Sequence, residues 1–169
     1  MKSQEEGQLE ELIKQRVAQV AERLTAKGLL LSCAESCTGG WISKCCTDLA
    51  GSSAWFDAGL VTYSYPAKTG LLGVTEERLQ QFGAVSREVV SDMAVGALQR
   101  TAATVSLAVT GIAGPGGGMV GKPVGTVWFA WATDQSEVET EVQVFSGNRE
   151  EIRKQTVLFA LTGLLKKLA

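Results

Sequence analysis

Leu29-Leu30-Leu31-Ser32-Cys33-Ala34, followed without a break by Glu35-Ser36-Cys37-Thr38-Gly39-Gly40, is the stretch on which the fold turns. Its first half is a short apolar run of strand length. Its second half changes to small, polar and glycine residues before helical spacing sets in at about 39–49. That is a strand running into a helix start, the junction at which open α/β sheets place their ligands.

The flanking sequence supplies the rest of such a fold. Upstream, Leu12, Ile13, Val17, Val20 and Leu24 recur at three- and four-residue steps and Gly28 is a stop signal, which predicts an amphipathic helix over roughly 6–27. Downstream, Ala58 to Tyr65 reads as a second strand stopped by Pro66, with one or two helical turns over Ala67 to Leu72. Thr75 and Ser86 are caps for two successive helices, the second carrying Val89, Val90, Met93, Ala97 and Leu98 on one face. Thr104 to Thr110 is a strand with Val105, Leu107 and Val109 turned inward, and it enters the glycine-dense loop Gly111-Ile112-Ala113-Gly114-Pro115-Gly116-Gly117-Gly118.

Val124 to Ala132 and Val138 to Phe145 read as an antiparallel hairpin about Thr133 to Ser136. The alternation of its second strand with Glu139, Glu141 and Gln143 puts that strand near an edge. Asn148, with Glu151 three residues on, opens a closing helix whose apolar face is Ile152, Leu158, Leu161, Leu165 and Leu168. The expected architecture is a three-layer α/β/α sandwich around a mixed, roughly five-stranded sheet, one domain over residues 1–169.

Composition narrows the chemistry. With 16 Lys and Arg against 18 Asp and Glu, and no basic block, the chain is not expected to use a nucleic acid backbone as partner. No apolar run approaches the roughly 20 residues that cross a bilayer, and the first residues lack a signal-peptide core, so a cytoplasmic protein without membrane contact is expected. There is no histidine. That excludes a Ser-His-Asp or Cys-His triad and a histidine-ligated zinc site, and leaves lysine, tyrosine, carboxylates or a helix N-terminus to activate any nucleophile. Cys33, Cys37, Cys45 and Cys46 lack a CxxC spacing and read as buried or half-buried thiols rather than metal ligands.

Three segments offer groups to a ligand. Glu35 to Gly40 has a hydroxyl nucleophile at Ser36, a second hydroxyl at Thr38, and two glycines that admit a ligand to backbone amides. Taken alone, Ser36 reads first as a helix cap, and Cys37 is a rival nucleophile if the helix start acidifies its thiol. Thr110 to Gly118 is either a tight turn or an amide nest for an anion, and Arg149 sits at the first turn of the last helix. Tyr63 and Lys68, at and just beyond a strand end, supply a phenol and an amine that a desolvated site could turn into a base. The alternative for these two is a core tyrosine and a solvated lysine.

Ala34-Glu35-Ser36-Cys37-Thr38-Gly39-Gly40, Gly51-Ser52-Ser53, Val61-Thr62-Tyr63-Ser64 with Ala67-Lys68, Gly83-Ala84-Val85-Ser86, Thr110 to Gly117 and Lys122-Pro123-Val124-Gly125-Thr126-Val127 together resemble the CinA C-terminal domain family, the nicotinamide mononucleotide deamidases. The blocks follow in order over about residues 8–165. The resemblance implies a stand-alone, homo-oligomeric hydrolase of pyridine nucleotide salvage. Its small-molecule nucleotide substrate would lose a carboxamide as ammonia, with no cofactor and no metal. It also implies Ser36 as nucleophile with Tyr63 and Lys68 in catalysis and Thr110 and Arg149 as further active-site positions. With the loop residues Thr38, Gly39, Gly40, Gly111 and Gly114 read above as open to a ligand, these two are expected around the substrate. Tyr65-Pro66 and Met119-Val120-Gly121 depart from the family pattern, and the first of these keeps open the alternative of a catalytically silent pyridine-nucleotide-binding module.

Overall fold

A computed structural model of the chain describes residues 2–169. In chain order the elements are α1 (Lys2–Lys27), β1 (Leu31–Glu35), α2 (Trp41–Asp48), β2 (Phe56–Val61), α3 (Tyr65–Leu72), α4 (Glu76–Phe82), α5 (Arg87–Arg100), β3 (Val105–Gly111), β4 (Thr126–Thr133), β5 (Ser136–Val144) and α6 (Arg149–Lys167). The strands form one sheet in the order β2-β1-β3-β4-β5. β1 is parallel to both β2 and β3, whereas β4 and β5 are antiparallel additions. The expected mixed sheet, with its hairpin edge at β5, is what forms.

The two faces of the sheet are built differently. Cys33, Leu107 and Trp131 lie in register on one face, under α1, α2 and α6. There Phe129, Trp131 and Phe159 meet ring to ring, with Phe129 4.7 Å from Phe159, and the Trp131 indole donates to Ala160 O at 3.0 Å. On the other face the register brings together Ala34, Ala108 and Ala130, and beside them Ser32, Ser106 and Ala132. These small side chains let α5 lie close to the sheet, and the Ser106 hydroxyl donates to Ala94 O in that helix at 2.7 Å. Each large side chain buried on either face contributes about 1.5–3 kcal/mol.

Three details differ from the sequence expectations. β2 ends at Val61, not at Tyr65, because Ser64 caps α3 by accepting the Ala67 N–H, and Pro66 sits in that helix's first turn. A proline there loses no hydrogen bond the helix needs, so it begins a helix here instead of ending a strand. α2 begins at Trp41, later than the anticipated 39, since Gly39 and Gly40 take left-handed φ values of 61° and 99°. β3 is buried along both faces from Val105 to Thr110, so its alternation sorts residues between two helix layers and not between core and water. The four thiols are free, and only Cys45 is partly exposed.

The helix after β1 and the helices after β2 lie on opposite faces, so the strand order reverses direction at β1 and β3. The crevice beyond the carboxyl ends of these two strands is where such sheets bind ligands. Ser36 and Thr110 stand at those ends.

Candidate active site

Ser36 is the first residue beyond β1, and its turn is held from several directions. Its N–H donates to Val109 O on β3 at 3.1 Å, and Gly39 N–H donates back to Ser36 O at 3.1 Å. Beneath the turn lies the fully buried carboxylate of Glu35. It accepts from Thr38 Oγ1 (2.6 Å), Gly40 N (3.1 Å), Ile42 N (3.0 Å), Ser43 N (2.8 Å) and Ser43 Oγ (2.7 Å). The anion thus satisfies the otherwise unpaired amides at the start of α2 and is stabilised by that helix's positive end. From the outside, Arg153 donates to Cys37 O at 3.0 Å and Thr38 O at 2.9 Å.

Lys68, in the second turn of α3, projects back under this turn and is only 1% exposed. Its Nζ lies 2.9 Å from Ser36 Oγ, 2.7 Å from Thr62 O and 3.4 Å from Tyr63 O. Burial pushes its pKa down to about 8, against a smaller opposing pull from the Cys37 side chain. The two carbonyls can only accept. As the ammonium, Lys68 donates to Ser36 Oγ and to both carbonyls. Once deprotonated it would keep its N–H bonds on the carbonyls and turn its lone pair toward the Ser36 hydroxyl, an arrangement able to accept a serine proton.

Cys37 does not share this role. Its thiol is buried, and burial drives its pKa up to about 12, opposite to the acidification a helix start would give.

Tyr63 takes part twice over, through different atoms. Its carbonyl faces Lys68, while its phenol, on a side chain of a residue 60% exposed, accepts from Arg149 Nη2 at 2.9 Å. Arg149, the first residue of α6, also donates from Nη1 to Gly114 O at 2.7 Å. The guanidinium therefore ties the loop after β3 to the link after β2, and it stands where the helix end and its own charge both favour an anion.

Of the residues expected around a substrate, several spend their polar groups inside the protein. The Thr38 hydroxyl and the Gly40 amide serve Glu35, and the Gly39 amide serves Ser36 O. Gly111 ends β3 opposite Val127, and a Cβ there would meet Val127 and Thr126 O. Thr110 is buried and donates to Ala84 O at 2.9 Å. The same Ala84 gives its N–H to Tyr65 Oη at 3.2 Å, so Tyr65 clamps the 83–86 loop from the other side.

Glu35 and Tyr65 received no role from the sequence. A carboxylate ending an apolar strand just before a helix start was the signal for Glu35, whereas the reach of Tyr65 over 19 residues to Ala84 had no local signal. Among the described residues no group of three or more Cys, Asp and Glu side chains is placed to hold a metal ion, and no helix is long and apolar enough to cross a membrane.

The model of the CinA C-terminal domain matches residues 13–168. Nicotinamide-nucleotide amidohydrolase PncC of Enterobacter agglomerans is 54% identical over 149 residues, 88% of this chain and 91% of that protein. The protein of the same name from Escherichia coli strain K12 is 53% identical over 146 residues, 86% of this chain and 88% of its own length. A CinA-like protein of Akkermansia muciniphila is 51% identical over 84% of this chain, which is 34% of its length. The crystal structure of the competence/damage inducible protein CihA from Agrobacterium tumefaciens superposes with a TM-score of 0.89 at 46% identity, covering 92% of this chain and 94% of that one.

Proposed function

The chain belongs to the CinA C-terminal domain family, and from that premise we propose that it is an amidohydrolase converting nicotinamide mononucleotide to nicotinic acid mononucleotide and ammonia. Relatives that it matches over most of their length, and at about half identity, bear the name of that activity. In this reading Lys68 takes the Ser36 proton as Oγ bonds to the amide carbon. The tetrahedral adduct then breaks its C–N bond, and the proton passes from Lys68 to the departing nitrogen, which leaves as ammonia. Water, deprotonated by the same amine, adds to the acyl carbon and expels Ser36, which recovers that proton from the amine; the nicotinic acid so formed gives its own proton to solvent and leaves as the carboxylate.

Arg149 and the amides of the glycine loop receive the phosphate. Tyr63 assists through its position, its carbonyl against the base and its phenol against Arg149. The observation that carries this reading is the 2.9 Å contact of Lys68 Nζ with Ser36 Oγ, made where two carbonyls occupy the amine's protons.

The test is ammonia release from nicotinamide mononucleotide by the purified chain. Turnover that disappears with Ser36→Ala supports the assignment, and near-normal turnover by that variant overturns the role of Ser36. Comparable rates on the nucleoside would overturn the phosphate site. A homo-oligomer in the cytoplasm is part of the same proposal, and sedimentation of the purified protein checks its first half.

A further inference from the structure

Beside the Ser36 turn, a groove of about 790 Å3 opens between α1, α2 and α6. That volume is within the range of small-molecule sites. Its inner end is the outer surface of Thr38, Gly39 and Gly40. Trp41 and Cys45, both half-buried, and Leu49, 37% exposed, turn apolar surface into it.

The charges along the groove are unevenly matched. Lys44 is paired with Asp48, one turn away on the same helix, at 2.6 Å. Arg153 lies over the Trp41 ring, 5.2 Å from its centroid, with its N–H groups on the carbonyls of Cys37 and Thr38. Lys14 adds a further cation at the rim. Lys154 is the unusual one. It is 5% exposed and 5.9 Å from the Trp41 centroid, and its Nζ donates at 2.9 Å to Glu10 Oε1, whose side chain is 59% exposed. A nearly covered ammonium is thus neutralised by a carboxylate reaching in from solvent on another helix. Covering a cation is costly unless an anion accompanies it.

We propose that this groove binds a small anion with an apolar body, the charge seated on Lys154 and the body against Trp41 and Leu49, and that Glu10 holds the seat when no ligand is bound. The ligand class follows from the walls: one covered cation, cationic neighbours and an apolar side. Through Arg153 the groove touches the backbone of the Ser36 turn, and neither Ser36 nor Lys68 is among its lining residues. The site stands independently of the amidohydrolase reading, because its test reads binding.

The probe is 8-anilinonaphthalene-1-sulfonate, an aromatic monoanion, titrated into the full chain by fluorescence and calorimetry. The expected result is saturable binding at one site per chain, weakened about tenfold by Lys154→Gln and strengthened several-fold by Glu10→Gln. Glu10→Gln removes the competing carboxylate at an exposed position and keeps the test informative if Lys154→Gln unfolds. Saturating nicotinamide mononucleotide should leave probe binding unchanged. Absence of saturable binding, equal affinity for Lys154→Gln, weaker binding by Glu10→Gln, or one-for-one displacement by the nucleotide would each overturn the proposal. So would a groove already filled by a second copy, seen as a dimer that excludes the probe.

Discussion

Lys68 Nζ and Ser36 Oγ stand 2.9 Å apart although 32 residues separate them along the chain. The contact joins the end of β1 to the second turn of α3, and neither side chain reaches it by chance. Ser36 is pinned through its backbone by Val109 O and Gly39 N–H, and Lys68 by the carbonyls of Thr62 and Tyr63. Replacing Ser36 by Ala, or Lys68 by Met, should each lower kcat by about a thousandfold or more. On the proposed mechanism the two act as one unit, so the double variant should lose little beyond either single one. Steady-state ammonia release from the three proteins decides this, and independent, multiplicative losses would contradict the pairing.

The depressed pKa of Lys68 sets a pH profile. With the value near 8, the amine is charged below that pH and cannot accept the serine proton. Activity should rise about tenfold per pH unit from 6 to 7 and level off above about 8, with roughly one hundredth of the plateau left at pH 6. A kcat/KM profile flat from pH 6 to 9 would argue against an amine base.

Tyr63 separates position from proton transfer. Tyr63→Phe removes the phenol from Arg149 and leaves the carbonyl beside Lys68 in place. The expected outcome is a KM about three- to tenfold higher with kcat retained. Arg149→Met should raise KM further, about ten- to a hundredfold, and more for the nucleotide than for the nucleoside. A collapse of kcat in Tyr63→Phe would instead make the phenol a proton carrier.

Glu35→Gln tests the support beneath the Ser36 turn. One carboxylate oxygen accepts three donors and the other two, so whichever oxygen becomes an amide nitrogen, N–H groups are set against N–H groups. A loss of about 2–3 kcal/mol is expected, seen as a melting temperature lower by about 5–10 °C. At temperatures where the variant is folded, kcat should fall while KM changes little.

Cys37 should be a bystander. Its thiol, held at a pKa of about 12 by burial, should resist iodoacetamide at pH 8 in the folded protein. Cys37→Ala should keep most of the activity. Rapid modification accompanied by inactivation would restore the thiol as a nucleophile.

Much of the fold was legible in the residues because local rules and the tertiary structure agree. Thr75, Ser86 and Asn148 cap the helices they precede, and Asn148 and Glu151 form the reciprocal box their spacing suggests. One misplaced boundary was at Tyr65-Pro66, where a proline is compatible both with a strand's end and with a helix's first turn, and Ser64 decides between them.

Within the candidate site, hydrogen bonds join Ser36 to Lys68 of α3, and Tyr63 and Gly114 to Arg149 at the start of α6, while Thr110 at the end of β3 reaches Ala84. What no periodicity discloses is how polar groups are spent. Thr38 and Thr110 are hydroxyls in the expected segments, yet their protons go to Glu35 and Ala84. That depends on chain segments meeting from afar.

The carbonyls of Thr62 and Tyr63 carry a wider consequence. Every amino acid owns a carbonyl, so this half of the lysine's surroundings is inherited with a bend in the main chain and not with any letter of the code. Drift at position 62 should be tolerated wherever the bend survives, while an amide-to-ester exchange between 62 and 63, which weakens that acceptor without altering a side chain, should disturb the base as surely as a conventional mutation.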